Sequence, residues 1–345
     1  MEKHKIKKIA AVCVCLCVAV VAVIIAADLV SSAREYQGST TLMNTVVSFN
    51  IGGKDAKNVG TAVTSRIGKL ENASLSRYSA ASAVSRVNAN AGTFCEADSL
   101  VVSLAGRCAE LSEKSEGAFS PLLGGVSDLW GFGTQNASIP DNEDLSIALT
   151  AAKDGTIETN SNSVKIPNGT LLDFGAVGKG VACDEARKVL EESDVERAVI
   201  SVGGSVLLYG EGQSFSVGVR NPLGSSNDCI GTLNLSETCV STSGSYERNF
   251  TQDGKTYHHI LDPNTGYPVE NNLLSVTVVS DDGFLSDALS TACFVLGYEK
   301  SVGLLESYGA KALFVFKDKN IRITKGLSEN FELSDDSFTI LNGDI

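Results

Sequence analysis

The 345-residue chain carries 28 basic and 41 acidic side chains, a formal balance of −13, with 43% hydrophobic and 20% charged residues. This composition is globular, long enough for one large domain or two ordinary ones, and it excludes a disordered or repetitive chain. So acidic a protein is also a poor partner for nucleic acid or anionic lipid surfaces, which are bound by clustered basic charge.

The chain opens on a basic flank, "MEKHKIKK" over residues 1–8, followed by an uncharged apolar run over residues 9–27. A run of about twenty apolar residues spans a bilayer as a helix. The lysines before it keep the N-terminus cytoplasmic and place the rest outside. A cleaved signal peptide has a shorter apolar region of about 7–15 residues. The reading therefore favours an uncleaved anchor, with "SSA" ending at Ala33 as the alternative cleavage site. Residues 28–40 read as a tether and residues 41–345 as the exported domain. Without Glu2 and the four lysines of the flank, the remainder holds 24 basic against 40 acidic side chains, a balance of −16.

Residues 41–51, "TLMNTVVSFNI", alternate like a strand, and Val59, Val63, Ile67 and Leu70 share one helical face. Asp98 caps a further helix through Leu100, Leu104 and Leu111, which Gly117 stops. Turns are expected to dominate residues 117–170. From Arg197 onward strands prevail, in "RAVISV", "SVLLYG", "SFSVGV", "CIGTLNL", "LLSVTVVS" and "KALFVF", interrupted by helices at about 179–192 and 284–297. Strands and helices without regular alternation indicate an α+β fold. Six cysteines follow the apolar run, none in a C-x-x-C pair, so a zinc site is not expected and buried thiols are the ordinary reading; disulfides stay open.

Three segments carry chemistry. In "LLDFGAVGKGVACD" the glycines Gly175, Gly178 and Gly180 lie between a strand end and a helix start. Unpaired N–H groups there attract phosphate, and Lys179 adds charge, although a simple tight turn fits equally well. The spacing is not that of a P-loop. In "YHHILDPNTGYP" His258 and His259 are strand neighbours, so one faces a site and the other faces away, and Asp262 to Gly266 form a turn. In "SDALSTACFVLG" Asp287 and Thr291 are four apart on one helical face, an oxygen pair suited to Mg2+ or, more simply, a polar face with a capping carboxylate.

Together these segments resemble the ApbE family of FAD:protein FMN transferases. "MNTVVSFNI", "LSRYSAASAVSRVN", "AFSPLLGGVSDLWGFG", "LLDFGAVGKGVACD", "SVGGSVLLYG", "VGVRNP", "STSGSYERNF", "HILDPNTGYPV" and "SDALSTACFVLG" follow one another in family order. The resemblance implies a T-fold-like α+β architecture, with two intertwined subdomains around a flavin groove. It further implies FAD contacts from Met43, Tyr78, Ala118, Phe119, Ser120, Asp173, Lys179 and His259, and Mg2+ held by the carbonyl of Ala176 with Asp287 and Thr291. Departures fall at Asn44, Ser120, Ser205 and Ser245, all expected near the groove.

The implied reaction moves FMN from FAD to a threonine hydroxyl of an exported acceptor protein and releases AMP, with Lys179 and Mg2+ neutralising phosphate charge and His259 as general base. Water in place of the acceptor would make the same site an FAD pyrophosphatase. A non-catalytic FAD-binding surface protein is a further alternative. A serine hydrolase built on "STSGSY" and His259 lacks the Gly-x-Ser-x-Gly elbow and ranks last.

Overall fold

The computed structural model describes residues 35–153 and 155–341. The basic flank, the apolar run of residues 9–27 and the first part of the tether lie outside them. Among the described residues no helix is long and apolar enough to cross a membrane.

A nine-stranded sheet organises the molecule. Its strands are β1 (Glu35–Leu42), β2 (Thr45–Gly53), β3 (Val195–Val202), β4 (Ser205–Tyr209), β5 (Thr238–Gly244), β6 (Leu273–Ser280), β7 (Lys311–Phe316), β8 (Asn320–Ile323) and β9 (Thr339–Ile340), and they lie side by side in that order. Every neighbouring pair is antiparallel except the last. The tether reading is corrected here: residues 35–40 belong to β1. Its "EYQGSTTL" is an edge strand with no fully buried side chain, so it carries no apolar alternation for the sequence to show.

The helices are α1 (Ala56–Lys69), α2 (Ala83–Ala89), α3 (Ser99–Lys114), α4 (Gly124–Trp130), α5 (Asn142–Lys153), α6 (Gly178–Glu191), α7 (Gly283–Leu296) and α8 (Tyr298–Ser307). Asp98 caps α3 as expected, accepting from Val101 N at 3.0 Å, and Gly117 follows the helix end at φ +82°. Between residues 117 and 170, however, α4 and α5 stand where turns were expected. Asp141 starts α5 by accepting from Glu143 N at 2.8 Å, a capping signal hidden among glycine, proline and asparagine.

Both sheet faces are covered, which is why the central strands read as nearly continuous apolar runs. Along β7, Ala312 and Phe314 enter a large core with α1, α6 and α7, whereas Leu313 and Val315 enter a second core. That second core is closed by a small sheet in which Cys229–Leu235 lies between Phe215–Arg220 and Phe331–Leu333. A third cluster centres on Trp130, with Val126, Leu145 and Leu261. Among the described residues all six cysteines are free, four of them buried.

Candidate functional site

Two helices fix one end of the site. α6 and α7 cross so closely that a Cβ on Gly180 would stand 1.9 Å from the Gly283 carbonyl oxygen, and one on Gly283 would stand 2.3 Å from that of Gly180. Contact this close requires glycine on both helices. The expectation that all three glycines open space for a ligand is therefore revised: Gly180 serves the helix crossing, and Gly178 lies against the Met43 side chain.

The crossing brings two separate motifs together. Asp287, with its side chain 2% exposed, accepts from Gly180 N at 3.0 Å and pairs with Lys179 Nζ at 3.2 Å. It is not the helix cap; Asp282 is, accepting from Leu285 N at 3.0 Å. One turn after Asp287, Thr291 is linked to Ser243 Oγ at 3.2 Å, and Ser243 to Ser290 at 2.7 Å. Below them Ser241 bonds both Ser205 at 2.9 Å and Ser286 at 2.8 Å. These hydroxyls explain how the polar strand β5 lies buried against α7. They also correct the placement of Ser205, which is 1% exposed inside this network and does not line the cleft.

The second histidine completes this end. His259 Nδ1 lies 3.2 Å from the Glu247 carbonyl oxygen. Because a carbonyl only accepts, Nδ1 carries the proton and Nε2 remains free to take one. Burial, then the charges of Arg248 and Lys179, push the imidazole down to about 3, so it is neutral at physiological pH. His258 faces the other way: its Nε2 lies 3.1 Å from the Val269 carbonyl oxygen and its ring meets Phe294 edge-on. Among the described residues no serine bonds His259, so the hydrolase reading has no nucleophile–base pair there.

The other end is built from loops. Arg77 Nε pairs with Asp173 at 3.1 Å and its Nη1 with Asp128 at 2.9 Å, while Nη2 donates to the Tyr78 hydroxyl at 3.0 Å. That hydroxyl donates to Asp128 at 3.1 Å, so the ring, 80% exposed, is held at the rim from below. Asp173 also accepts from Gly175 N at 2.7 Å. Nearby, Trp130 donates from Nε1 to the Gly266 carbonyl at 2.7 Å and packs among Phe132, Phe250, Tyr257 and Tyr267. This aromatic cluster clamps the Asp262–Gly266 turn that follows His259.

A cleft of about 550 Å3 joins the two ends. Tyr78, Ala118, Phe119, Ser120, Asp173, Ala176, Lys179, His259 and Thr291 all line it. Asp287 lies buried beside Lys179, and Met43 is partly buried against the core, next to Gly178; neither is among the residues that line the cleft. Among the lining residues that escaped the sequence reading are Arg77, Asp128 and Arg248. Arg77 and Asp128 occupy unspecified positions inside "SRY" and "SDLW", and their only signal was charge inside an otherwise uncharged motif.

The donors also suit a hard cation. Asp287 and Thr291 offer carboxylate and hydroxyl oxygens, and the positive charge now at the Asp287 carboxylate is an ammonium. Among the described residues no three His, Cys, Asp or Glu side chains gather to hold a metal. A cation here would complete its shell with water and phosphate oxygens, as Mg2+ does.

Comparison with known proteins identifies the family. The ApbE family profile matches residues 43–314. The FAD:protein FMN transferase of Treponema pallidum is 36% identical over 280 residues, covering 75% of this chain and 77% of that one. Its Klebsiella pneumoniae counterpart is 36% identical over 231 residues, covering 66% and 72%. The crystal structure of the ApbE protein from Thermotoga maritima superposes with a TM-score of 0.79 at 30% identity, covering 86% of this chain and 99% of that one. The apo flavinyl transferase ApbE of Pseudomonas stutzeri gives 0.74 at 27%, covering 87% and 98%. On these matches and on its α+β architecture, the chain belongs to the ApbE family.

Proposed function

We propose that the protein transfers FMN from FAD to a threonine hydroxyl of an acceptor protein, with release of AMP. One observation carries this reading: motifs scattered from Tyr78 to Thr291 meet in one cleft, with a cation and a neutral imidazole at one end and an aromatic rim at the other. The helix-borne end suits the diphosphate and the loop-borne end the isoalloxazine ring. We take the sheet-and-helix layer and the loop-borne aromatic cluster as the two subdomains of the flavin groove.

In this reaction the acceptor oxygen attacks the FMN phosphorus, the bond to the AMP phosphate breaks, and AMP leaves with the electron pair. His259 Nε2 takes the hydroxyl proton, because Nδ1 is committed to Glu247. Lys179, on the cleft wall, neutralises phosphate charge. Asp287, Thr291 and the Ala176 carbonyl are the proposed Mg2+ ligands, and the ion would supply further charge neutralisation at the diphosphate. Asp173, held by Arg77 and Gly175 N, and Tyr78 orient the flavin side of the substrate.

The proposal extends to location. Residues 9–27 anchor the chain in the cell membrane with the catalytic domain outside, where it meets exported acceptors. The activity is tested by incubating the protein with FAD, Mg2+ and exported proteins of the same cell, followed by intact-mass analysis. A mass gain of one FMN on an acceptor is expected; release of FMN and AMP without any gain would identify a pyrophosphatase, and binding without turnover a flavin-binding protein.

A further inference from the structure

Three cations line the cleft: Arg77, Lys179 and Arg248. The first is held by Asp128 and Asp173 and the second by Asp287. Arg248 has no carboxylate at ion-pair distance among the described residues. Its one hydrogen bond is long, from Nη2 to the Asn44 carbonyl at 3.4 Å, and the residue is exposed. In a chain with a balance of −13, such a guanidinium adds positive potential at the cleft wall.

The backbone supports this view. Arg248 reaches the two-residue hairpin turn between β1 and β2, whose Met43 at φ 53° and Asn44 at φ 55° have the geometry such turns require, and itself sits at φ 36°, in the left-handed region that disfavours a residue with a side chain. Such conformations persist where the surroundings enforce them, and they cluster at ligand sites. The preceding residue, Glu247, supplies the carbonyl that fixes the His259 ring. One short bend thus places a free positive charge beside the imidazole, and that charge contributes to holding His259 neutral.

We propose that Arg248 is a second phosphate-binding residue of the cleft, its guanidinium meeting the substrate diphosphate from the loop after β5 while Lys179 reaches it from α6. The assignment rests on the reading of the cleft as an FAD site. A planar guanidinium donates two parallel hydrogen bonds to phosphate oxygens, which the Lys179 ammonium does not reproduce. The diphosphate would then be held by cations from two separate elements, and the flavin by neither.

The test uses the full-length chain with Mg2+ present, and compares ADP, which carries the diphosphate without the flavin, with riboflavin, which carries the flavin without phosphate. Arg248→Met is expected to weaken ADP binding roughly ten- to hundredfold, the loss of a charge-assisted hydrogen bond. Riboflavin binding and the melting temperature should stay at the wild-type values. Arg248→Lys, which keeps the charge without the fork, should fall between. Unchanged ADP affinity in Arg248→Met would overturn the assignment, and so would an equal loss for ADP and riboflavin, which would mark Arg248 as a prop for the Asn44 turn. Failure of the wild-type chain to bind ADP would overturn it as well. A chain that shows the expected ADP pattern but transfers no FMN would instead count against the proposed activity alone.

Discussion

The two ends of the cleft are held by different means. At the helix-borne end, Lys179, Asp287 and Thr291 are placed by main chain, because α6 and α7 touch at Gly180 and Gly283 and no side chain separates them. At the loop-borne end, Tyr78 and Asp173 are placed by side chains, through the single guanidinium of Arg77. The first end is thus an extension of the core, and the second is a network on its edge. On the proposed reading, the helix-borne end meets the phosphate and the loop-borne end the flavin ring.

The comparison breaks most severely at the glycine crossing. Gly180→Ala puts a methyl group into the Gly283 carbonyl, and the backbones must separate. Overpacking of this kind costs about 3 kcal/mol. Thermal unfolding should show a large fall in Tm, together with loss of the Lys179–Asp287 pair and of activity; an unchanged Tm would mean that the crossing does not place the site. A less drastic change is Asp287→Asn, which keeps the volume and removes the charge. Transfer should fall roughly 10²–10³-fold, with the circular dichroism spectrum retained. Full activity in that variant would remove Asp287 from the metal site.

At the loop-borne end the expected loss is smaller and of a different kind. Arg77→Met leaves the Tyr78 hydroxyl with Asp128 alone and the Asp173 carboxylate with Gly175 N alone, so FAD binding should weaken roughly tenfold, the worth of one charge-assisted bond. kcat at saturating FAD should change less than Kd, and Arg77→Lys should rescue only in part because it lacks the fork. An equal fall in kcat with Kd unaltered would place Arg77 in the chemistry instead of the binding.

The smallest effect concerns pH. The folded pKa of His259 is depressed to about 3 from an ordinary value near 6.5, so its folded environment favours the neutral ring. Between those values the unfolded chain binds the extra proton. The stability this residue permits is therefore complete above about pH 6.5 and declines as pH falls towards 3. His259→Gln removes the penalty, so its Tm should drop less than that of the wild type between pH 7 and pH 5, by an amount equivalent to about 1–2 kcal/mol. Parallel curves for the two proteins would show that the ring is not buried neutral.

Much of this division was legible in the residues. The apolar runs of β3, β6 and β7 and the periodic faces of α6 and α7 announced the core, because burial selects residue type directly. β5 was hidden because "TCVSTSG" satisfies its burial through hydroxyl pairs with α7, a relation between segments far apart in the chain. β1 was hidden because an edge strand needs no apolar side. In the site, Lys179, His259, Asp287 and Thr291 were found through their motifs, but the role of Gly180 was not, since a glycine beside a lysine reads as a phosphate loop whether it faces ligand or helix. Arg77, Asp128 and Arg248 depend on partners brought together only by the fold.

On the proposed reading this cleft modifies a second protein. Own-chain Gly-Ala pairs stand in "EGAF", "FGAV" and "YGAK"; Ala118 of the first and both residues of Gly175-Ala176 line the cleft itself. In-gel flavin fluorescence under denaturing conditions measures this directly. With FAD and Mg2+, a purified acceptor carrying a Ser/Thr-Gly-Ala-Ser/Thr segment should yield a fluorescent band at its own mass, and the enzyme none. A fluorescent band at the mass of this protein, lost in His259→Ala, would contradict the account.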